Sequence, residues 1–533
     1  MSYSNLQNGS DIRGIAMDNE TGASVNLTNK ASKDLAGAFA KWLSKRNDNK
    51  KVKIALGRDS RLTGEALLKA AAAGIIAQGH EVCDFGIAST PAMFMSTVLA
   101  SDEDDAATFD GSIMITASHL PYYRNGLKFF TKEGGLEKGD IKELTELADK
   151  ILAENSEKSV DVSGADIKSI NFMDTYASYL QKKIRDGVGK GDKPLEGLHI
   201  IVDAGNGAGG FYVTKVLEPL GADTSGSQFL TPDGRFPNHI PNPENKEAAE
   251  SIKKATLDSK ADLGIIFDTD VDRAGAVLPS GKTLTRNDLI AVLSMIALSE
   301  HPGTTIVTDS VTSDGLHDFI EAHGGKHKRF KRGYRNVIDE SIRLNNEGID
   351  SQLAIETSGH GAFKENYFLD DGAYLMVKLL IEMGKGKKLE EMIKDLSEPC
   401  ESDEVRFPVY ADKIEGGDLQ SNGDRILKML QDAAGKVEGW SLPESNYEGV
   451  RVNTDKDHGD GWLLLRKSLH EPIMPLNIES NTKGGNLIMA TKLKKKGFDR
   501  PIPVPLHGNK DLGDFGKKIL KEANINPITK KEE

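Results

Sequence analysis

The segment Lys53-Ile-Ala-Leu-Gly-Arg-Asp-Ser-Arg61 is a short apolar run that ends in polar and charged residues. A helical pattern of apolar residues through Leu67 and Ile75 follows, and Gly79 precedes a further apolar run. A strand, a helix of about a dozen residues and a second strand favour parallel pairing with a right-handed crossover. The segment therefore predicts the beginning of an α/β domain.

Two later segments repeat this order of elements. One begins with His199-Ile-Ile-Val-Asp-Ala-Gly-Asn-Gly207, continues as a helix through Val216 and reaches Gly221. The other begins with Thr304-Thr-Ile-Val-Thr-Asp-Ser-Val-Thr312 and continues as a helix through Phe319. The repetition predicts two more α/β domains, each with a second strand after its helix.

The pattern changes after Cys400, where a strand is predicted at 404–410 and a helix at 423–434. This part of the chain is typical of a smaller α+β domain. We therefore predict four domains, with α/β domains at 1–190, 191–301 and 302–400 and a smaller α+β domain at 401–533.

Composition excludes several classes of protein. The 533 residues are 38% hydrophobic and 28% charged, and the longest apolar runs, such as Leu289 to Leu298, are too short to span a bilayer. The net charge of -13 opposes binding to nucleic acid or to an anionic membrane. Two cysteines and no recognisable export signal at the start predict a cytoplasmic protein.

A candidate nucleophile follows the apolar strand 112–116. Ser118 is next to His119, and Arg124 and Lys128 come shortly afterwards. A hydroxyl that accepts phosphate needs a rigid backbone, a group that handles its proton, and cations that offset negative charge. A lone Ser-His pair is more often an ordinary polar loop, and no Gly-x-Ser-x-Gly elbow of an esterase is present.

A candidate metal site follows the apolar strand that ends at Phe267. Asp268, Asp270 and Asp272 alternate along the loop, and three hard oxygen ligands at this spacing can converge on one Mg²⁺. The loop is not an EF-hand, because Arg273 stands where that motif needs glycine. A solvated acidic loop remains the alternative interpretation.

The segment 276–283 imitates a nucleotide-binding P-loop, with Gly281-Lys-Thr283 at its end. A P-loop must enter a helix at its Lys-Thr step. Here Pro279-Ser-Gly281 predicts a turn between two short apolar pieces, with the helix beginning only after Asn287. Nucleotide binding is therefore not predicted.

Two further polar loops also follow apolar strands. Glu356-Thr-Ser-Gly-His360 offers a carboxylate, a hydroxyl and an imidazole that suit sugar hydroxyls, although a polar turn is an equal alternative. The segment Arg466-Lys-Ser-Leu-His-Glu-Pro472 offers a guanidinium and a hydroxyl for a phosphate, although an exposed basic turn explains it as well when it is taken alone.

Taken together and in this order, the loops resemble those of the α-D-phosphohexomutase family. Asp11-Ile-Arg-Gly14 is similar to the opening motif of the family, 116–121 to its phosphoserine loop, 268–273 to its metal loop and 356–360 to its sugar loop. The resemblance covers nearly the whole chain. It implies four domains around a central cleft, of which the first three share one α/β topology with mixed sheets.

The resemblance also implies roles for individual residues. Ser118 would carry the phosphate, Lys128 would serve as general base, and His119, Arg13 and Arg273 would assist electrostatically. One Mg²⁺ per chain would be held by Asp268, Asp270, Asp272 and phosphorylated Ser118. The substrate-binding residues would be Arg273, Arg335, Glu356, Ser358, His360, Arg466, Ser468 and His470.

The last loop departs from the family pattern, because Leu469 and His470 replace a glycine and a threonine, and Pro475 stands where many members have another arginine. The predicted function is a phosphohexomutase that interconverts glucose or mannose 1-phosphate and 6-phosphate through a sugar bisphosphate. The alternatives are a non-catalytic phosphosugar-binding or regulatory relative, a phosphohydrolase, or a phosphoglucosamine mutase. The predicted partner is a small phosphosugar, and a monomer or homodimer is expected.

Overall fold

A computed structural model of the chain describes residues 2–100, 108–154, 167–408, 419–468 and 473–495. The chain forms two compact units. Unit 1 comprises Met1–Ala297 and Gln352–Lys394, and unit 2 comprises Leu298–Ser351 and Asp395–Glu533. Each unit is described by itself.

Unit 1 begins with a mixed sheet in the order β1-β2-β6-β5-β3-β4-β8, with β7 paired to β6. Strand β3 pairs parallel with β4, as the sequence predicts, and also with β5, whereas β6 is antiparallel to β5 and β2. The strands are β1 (Gln7–Asn8), β2 (Asp11–Ile15), β3 (Lys53–Arg58), β4 (Glu81–Ile87), β5 (Gly111–Ile115), β6 (Arg124–Thr131), β7 (Gly134–Gly135) and β8 (Lys168–Ser169).

Five helices accompany this sheet, and a 3-10 turn at Tyr3–Leu6 precedes it. Gly74 allows α1 and α2 to pack closely, because a Cβ there would lie 1.9 Å from the carbonyl oxygen of Lys33. The helices are α1 (Asn29–Arg46), α2 (Gly64–Ala77), α3 (Thr90–Met95), α4 (Lys138–Glu154) and α5 (Phe172–Val188).

A second mixed sheet in unit 1 has the order β12-β11-β10-β9. Strand β10 is buried along its whole length and pairs parallel with β9 and antiparallel with β11. Burial of both faces explains its continuous apolar sequence. The elements are β9 (Ile200–Asp203), α6 (Lys246–Ser259), β10 (Leu263–Phe267), β11 (Ala274–Val277), β12 (Thr283–Leu284) and α7 (Arg286–Glu300).

Three details of this region bear on the sequence predictions. The strand predicted after Gly221 is wrong as a full element: only isolated parallel bridges pair Asp223 and Gln228 with β9, because the small polar residues between them favour turns over strands. The helix after Val213 consists of a π turn (Val213–Leu217) and a 3-10 turn (Glu218–Leu220). The P-loop-like segment does not enter a helix, since α7 begins at Arg286.

Unit 2 contains the third strand-helix-strand segment, in which β13 (Thr305–Asp309) and β14 (Lys326–Phe330) are parallel and α8 (Asp314–Ala322) connects them, with α9 (Tyr334–Asn346) following. The chain then returns to unit 1 as an antiparallel set of short strands and two helices. These are β15 (Leu353–Ile355), β16 (Gly361–Phe363), β17 (Leu369–Asp370), α10 (Gly372–Gly384) and α11 (Leu389–Met392).

Unit 2 ends with an antiparallel sheet in the order β18-β22-β21-β20-β19. Ile426 and Leu430 of the first of its two helices join Val452 and Leu463 of the sheet in one apolar core. The elements are β18 (Glu401–Pro408), α12 (Leu419–Ala434), β19 (Trp440–Ser441), β20 (Val450–Thr454), β21 (Gly461–Leu465), β22 (Ile473–Ser480) and α13 (Gly485–Lys495).

The predicted fold class of repeated α/β topology with mixed sheets and a smaller, β-rich C-terminal part is confirmed. The four predicted domain boundaries stay predictions, as do the cytoplasmic location and the oligomeric state. Helix α5, predicted in the first domain, contacts residues of the second, for example where Gln181 donates to the carbonyl of Lys215. Among the described helices, none has the length and apolar character that crossing a membrane requires.

Candidate active site

The candidate nucleophile, Ser118, lies in the loop between β5 and β6. Its side chain is almost fully buried, and its backbone has a φ of 50°, which is unusual for a residue other than glycine. Ser118 Oγ lies 3.0 Å from Asp268 Oδ2, to which it donates a hydrogen bond, and it accepts one from Arg273 Nη2 at 3.0 Å. The hydroxyl therefore sits between a carboxylate and a guanidinium.

The three aspartates converge, as the sequence predicts. Asp268, Asp270 and Asp272 follow β10 directly, all are buried, and each offers an oxygen within 4.8 Å of the others. Burial and the neighbouring carboxylate of Asp272 raise the pKa of Asp268 well above its usual value. Crowding of the three carboxyl groups thus favours the protonated form of Asp268 beside Ser118.

Lys128, which lies on β6, reaches this acidic cluster. Its Nζ contacts Asp272 Oδ2 and lies 3.3 Å from Asp270 Oδ2. Although burial opposes it, the ammonium group of Lys128 helps to hold the pKa of Asp272 below its usual value. The structure thereby brings together the nucleophile, the three carboxylates and the lysine that the sequence singled out.

Arg273 connects the acidic cluster to His119. Its Nε lies 3.1 Å from Asp268 Oδ2, and its Nη2 contacts His119 Nδ1. The Arg273 guanidinium, together with burial, lowers the pKa of His119 to about 2. His119 is therefore neutral near pH 7, so any assistance it gives takes the form of a hydrogen bond rather than a positive charge.

Arg13 also belongs to this site. Its Nη2 is paired with Asp11 Oδ2 at 2.7 Å. Burial opposes its charge, but Asp11, Asp270 and Asp272 raise the pKa of Arg13, which places its guanidinium in the field of the acidic cluster. The opening motif of the chain and the acidic loop therefore meet in unit 1.

The loop 356–360 lies against the end of the acidic loop. His360 and Arg273 form an isolated antiparallel bridge, and Ser358 Oγ donates to Glu356 Oε2 at 3.3 Å. His360 Nδ1 lies 2.6 Å from Asp370 Oδ2. Burial opposes its protonation, but Asp370 and Asp272 raise the pKa of His360 to about 9. His360 is a cation at pH 7.

The donor set of the acidic cluster fits a hard divalent cation. Asp270 Oδ1 and Asp272 Oδ1 are buried and accept no hydrogen bond from any residue that the structure describes. Buried carboxylate oxygens without donors are costly unless a cation approaches them. Three carboxylates with the nearby Ser118 oxygen form an all-oxygen set, which Mg²⁺ prefers.

Two residues of this site were missed by the sequence reasoning. Thr90, the first residue of α3, donates from Oγ1 to Asp270 Oδ2 at 2.5 Å, and its backbone N–H donates to the carbonyl of Asp270. Asp370 orients His360, whereas the sequence left it ambiguous. Neither has a local signal, since Thr90 is separated from Asp270 by 180 positions in the chain.

The remaining predicted substrate residues are in unit 2. Arg335 Nε pairs with Asp339 Oδ1 at 3.0 Å on α9, and Arg466 is buried with its Nη2 3.9 Å from Glu404 Oε2. Ser468 donates its backbone N–H to the carbonyl of Ile473. His470 and Leu469 lie outside the described residues.

Arg332 is a further cation that the sequence analysis did not select. Its Nη1 lies 3.8 Å from the same Glu404 oxygen that Arg466 approaches, so one carboxylate faces two guanidinium groups. Such a pair of arginines suits a phosphate, which accepts planar bidentate donors. The nearby Lys331-Arg-Gly333 run could have suggested it, but Arg335 was chosen instead.

Three segments of the chain match known protein families. Residues 4–155, 174–281 and 285–400 match the families described as "Phosphoglucomutase/phosphomannomutase, alpha/beta/alpha domain I", "domain II" and "domain III". The matched segments follow one another in that order along the chain.

Relatives and a solved structure agree with these matches. The chain is 29% identical to a phosphomannomutase/phosphoglucomutase of Pseudomonas aeruginosa over 85% of this chain and 89% of that protein. It is 28% identical to a phosphoglucomutase of Neisseria gonorrhoeae over 89% and 92% of the two chains. A phosphoglucomutase/phosphomannomutase family protein from Burkholderia thailandensis has the same fold, with a TM-score of 0.73, 24% identity and 99% coverage of both chains.

Proposed function

The chain belongs to the α-D-phosphohexomutase family, and from that membership we propose that it interconverts the 1-phosphate and 6-phosphate of glucose or mannose through phosphorylated Ser118. One observation carries the proposal: Ser118 Oγ lies 3.0 Å from Asp268 Oδ2 and 3.0 Å from Arg273 Nη2. A hydroxyl in that position lies beside a carboxylate that is a proposed metal ligand, and beside a guanidinium that offsets the charge of a phosphoryl group.

In the proposed reaction, the phosphoryl group passes from Ser118 Oγ to the free hydroxyl of a sugar monophosphate. The bond to Ser118 breaks as the bond to the sugar oxygen forms, and the sugar becomes a bisphosphate. After the sugar turns around, its other phosphate returns to Ser118 Oγ. No water enters the balance, so the net reaction is an isomerisation.

The chain's own residues supply charge and proton handling for these steps. Arg273 and Arg13 offset the charge of the transferring group, and His119 accepts a hydrogen bond from Arg273. Lys128 is proposed as the base that takes the hydroxyl proton. Its contacts with Asp270 and Asp272 favour the protonated form, so it becomes a base only when those carboxylates are neutralised by another cation.

We propose Mg²⁺ as that cation. Asp268, Asp270 and Asp272, with an oxygen of phosphorylated Ser118, would hold it. When bound, it supplies Lewis-acid neutralisation of phosphoryl oxygens. The uncoordinated, buried oxygens of Asp270 and Asp272 support this assignment.

Sugar recognition is proposed at Glu356, Ser358 and His360, whose carboxylate, hydroxyl and imidazolium complement sugar hydroxyls and phosphate. Arg335, Arg466, Ser468 and His470 are proposed phosphate ligands, and Arg332 joins them because it shares Glu404 with Arg466. The names of the relatives favour glucose and mannose over glucosamine as the sugar. They also favour a catalyst over a non-catalytic binding protein.

A coupled assay tests the proposal. Purified protein with Mg²⁺ and a trace of glucose 1,6-bisphosphate should convert glucose 1-phosphate or mannose 1-phosphate to the 6-phosphate. Release of inorganic phosphate should be far slower than isomerisation. Absence of turnover on any hexose phosphate would reject the proposal, and stoichiometric phosphate release would identify a hydrolase instead. Ser118→Ala, which removes only the nucleophilic oxygen, should be folded and inactive.

A further inference from the structure

A buried arginine outside the reacting groups holds the loop that carries Ser118. Arg61 lies just after β3, and its side chain has no exposed surface. Its Nη1 donates to the carbonyl oxygens of Pro121 at 2.8 Å and Arg124 at 2.9 Å. Its Nη2 donates to the carbonyl oxygens of Ser118 and Leu120. All four terminal N–H groups of one guanidinium therefore bind carbonyls of the Ser118 loop.

Asp59 completes the arrangement from the same turn. Its Oδ2 lies 3.2 Å from Arg61 Nε and accepts a hydrogen bond from Thr116 Oγ1 at 2.7 Å. Thr116 Oγ1 in turn accepts the backbone N–H of Ser118 at 2.9 Å. The Asp59-Arg61 pair thus holds Ser118 at both ends, through Thr116 at its amide and through Arg61 at its carbonyl.

These hydrogen bonds at the amide and the carbonyl of Ser118 explain how it retains an unfavourable backbone conformation. Ser118 has a φ of 50°, a left-handed conformation that a serine abandons unless its surroundings fix it. Fixing the peptide groups on both sides fixes that torsion and hence the direction of Cβ and Oγ. The 3.0 Å distances from Ser118 Oγ to Asp268 and Arg273 depend on that direction.

Residues near the second sheet of unit 1 cover the Arg61 side chain and the turn that carries it. The Arg61 guanidinium lies over the ring of Phe236, 5.3 Å from its centre, and makes a cation-π contact with it. A Cβ at Gly234 would lie 2.4 Å from the carbonyl of Ser60, so the chain at 234 touches the backbone of the Asp59–Arg61 turn. The guanidinium and the four carbonyls that it binds are therefore shielded from solvent in the folded chain.

We propose that Arg61, acting with Asp59 and Thr116, is a positioning residue that sets the orientation of the Ser118 hydroxyl for phosphoryl transfer. This inference rests on the proposed function of Ser118. The terminal nitrogens of Arg61 donate to backbone carbonyls of the Ser118 loop, so its contacts act on the alignment of the hydroxyl, and its charge also interacts with Asp270 over a longer range. A lysine cannot reproduce the hold, because one ammonium has three hydrogens and no planar fork.

Kinetics of three variants test the proposal. Arg61→Lys removes the fork, and Thr116→Val removes the link to the Ser118 amide with almost no change in shape. Arg58→Gln is the matched control, since Arg58 ends β3 and its side chain donates to the carbonyl of Asp59 but, among the described residues, to no group of the Ser118 loop. We expect kcat to fall roughly 100-fold in Arg61→Lys and roughly 10-fold in Thr116→Val. KM should stay within about threefold of wild type, because the sugar ligands are untouched; Arg58→Gln should behave as wild type.

Hydrogen exchange provides a readout that does not depend on turnover. Amide exchange in the peptide covering 116–124 should be faster in Arg61→Lys and Thr116→Val, with peptides of β10 and α10 unchanged. Unchanged exchange and a kcat within twofold of wild type would overturn the proposal. Faster exchange throughout the chain, with kcat and KM both impaired, would also overturn it, because that pattern denotes a purely structural role. If the wild-type protein shows no turnover, the proposed function is rejected. The exchange measurement still tests whether Arg61 and Thr116 hold the Ser118 loop.

Discussion

At the scale of single residues, the acidic cluster is an arrangement that suits a bound cation. Asp268, Asp270 and Asp272 are buried side by side, and the pKa of Asp268 is raised by burial and by Asp272. Lys128 and Arg273 compensate part of this charge. A bound cation would offset more of the free-energy cost of bringing these carboxylates together.

Replacing one ligand should weaken the metal directly. We expect Asp270→Asn to raise the half-saturating Mg²⁺ concentration. Loss of an outer partner of a metal ligand already weakens metal binding roughly 10- to 100-fold, so loss of a ligand should weaken it at least as much. The measurement is a Mg²⁺ titration of activity and of binding heat, after EDTA treatment of the protein. Asp258→Asn, which changes a carboxylate exposed on α6, is the control. Equal Mg²⁺ dependence in the two variants would contradict the assignment.

The residues of this site were predictable to different degrees. Ser118 and the three aspartates were found because they follow apolar strands in the pattern of the family, and strand ends place side chains at one edge of a sheet. Lys128 was found because it comes shortly after Ser118 in the same pattern, and it lies on β6. Thr90 and Arg61 were not found, because their partners are distant in sequence. A threonine at a helix start and an arginine after a strand look like ordinary capping and surface residues until tertiary contacts are known.

At the scale of elements, helix α10 begins at a buried carboxylate. Asp371 caps α10 by accepting the backbone N–H of Tyr374, and it also accepts hydrogen bonds from Tyr176 and Asn366. Burial nevertheless raises the pKa of Asp371 from 3.8 to about 6. Folding therefore favours the protonated form of Asp371 relative to the unfolded chain.

The sign of the resulting pH dependence is set by that raised pKa. The stability that Asp371 contributes is complete below the unfolded value of 3.8 and is lost as the pH rises through about 6. Lowering the pH from 7 to 5 should therefore increase the free energy of unfolding of the wild-type chain by about 1 kcal/mol more than that of Asp371→Asn. The asparagine can cap the helix but does not titrate. Urea unfolding of both proteins at the two pH values measures this difference, and an unchanged difference would contradict it.

Element prediction succeeded where burial made the pattern continuous. Strands β5, β10, β15 and β21 are short apolar runs that end in candidate site loops. Parallel pairing was predicted where a helix joins two strands, as it does between β3 and β4 and between β13 and β14. The strand predicted after Gly221 failed because its polar residues leave only bridges to β9. The left-handed backbone at Ser118 could not be predicted, since it is imposed by Arg61 and Thr116 from neighbouring parts of the chain.

At the scale of the whole molecule, the chemistry and the proposed phosphate ligands are carried by different units. Unit 1 holds Ser118 and the acidic cluster, whereas unit 2 holds Arg332 and Arg466 around Glu404. The sequence analysis assigned Ser118 and the acidic loop to the first two predicted domains and the Arg466 loop to the fourth, and these assignments stay predictions. The departures from the family pattern at Leu469 and His470 fall in the part of the chain assigned to phosphate and not to catalysis.

Variants in unit 2 should therefore affect substrate affinity more than the transfer step. We expect Arg466→Gln and Arg332→Gln each to raise KM for the hexose phosphate by roughly 10- to 100-fold, the value of a charge-assisted hydrogen bond. Steady-state kinetics measure this effect, with Arg425→Gln on the exposed face of α12 as control. A KM unchanged in both variants would remove these arginines from the site.

The central claim is that Ser118 carries the transferred phosphoryl group. The direct measurement is to incubate the protein with bisphosphate labelled in its phosphoryl groups, locate the label by peptide mass spectrometry, and chase it with unlabelled sugar monophosphate. The account predicts label on Ser118 that leaves for the sugar at least as fast as steady-state turnover, and no label in Ser118→Ala. Turnover in the wild-type protein with label on another residue, or with none, would contradict it.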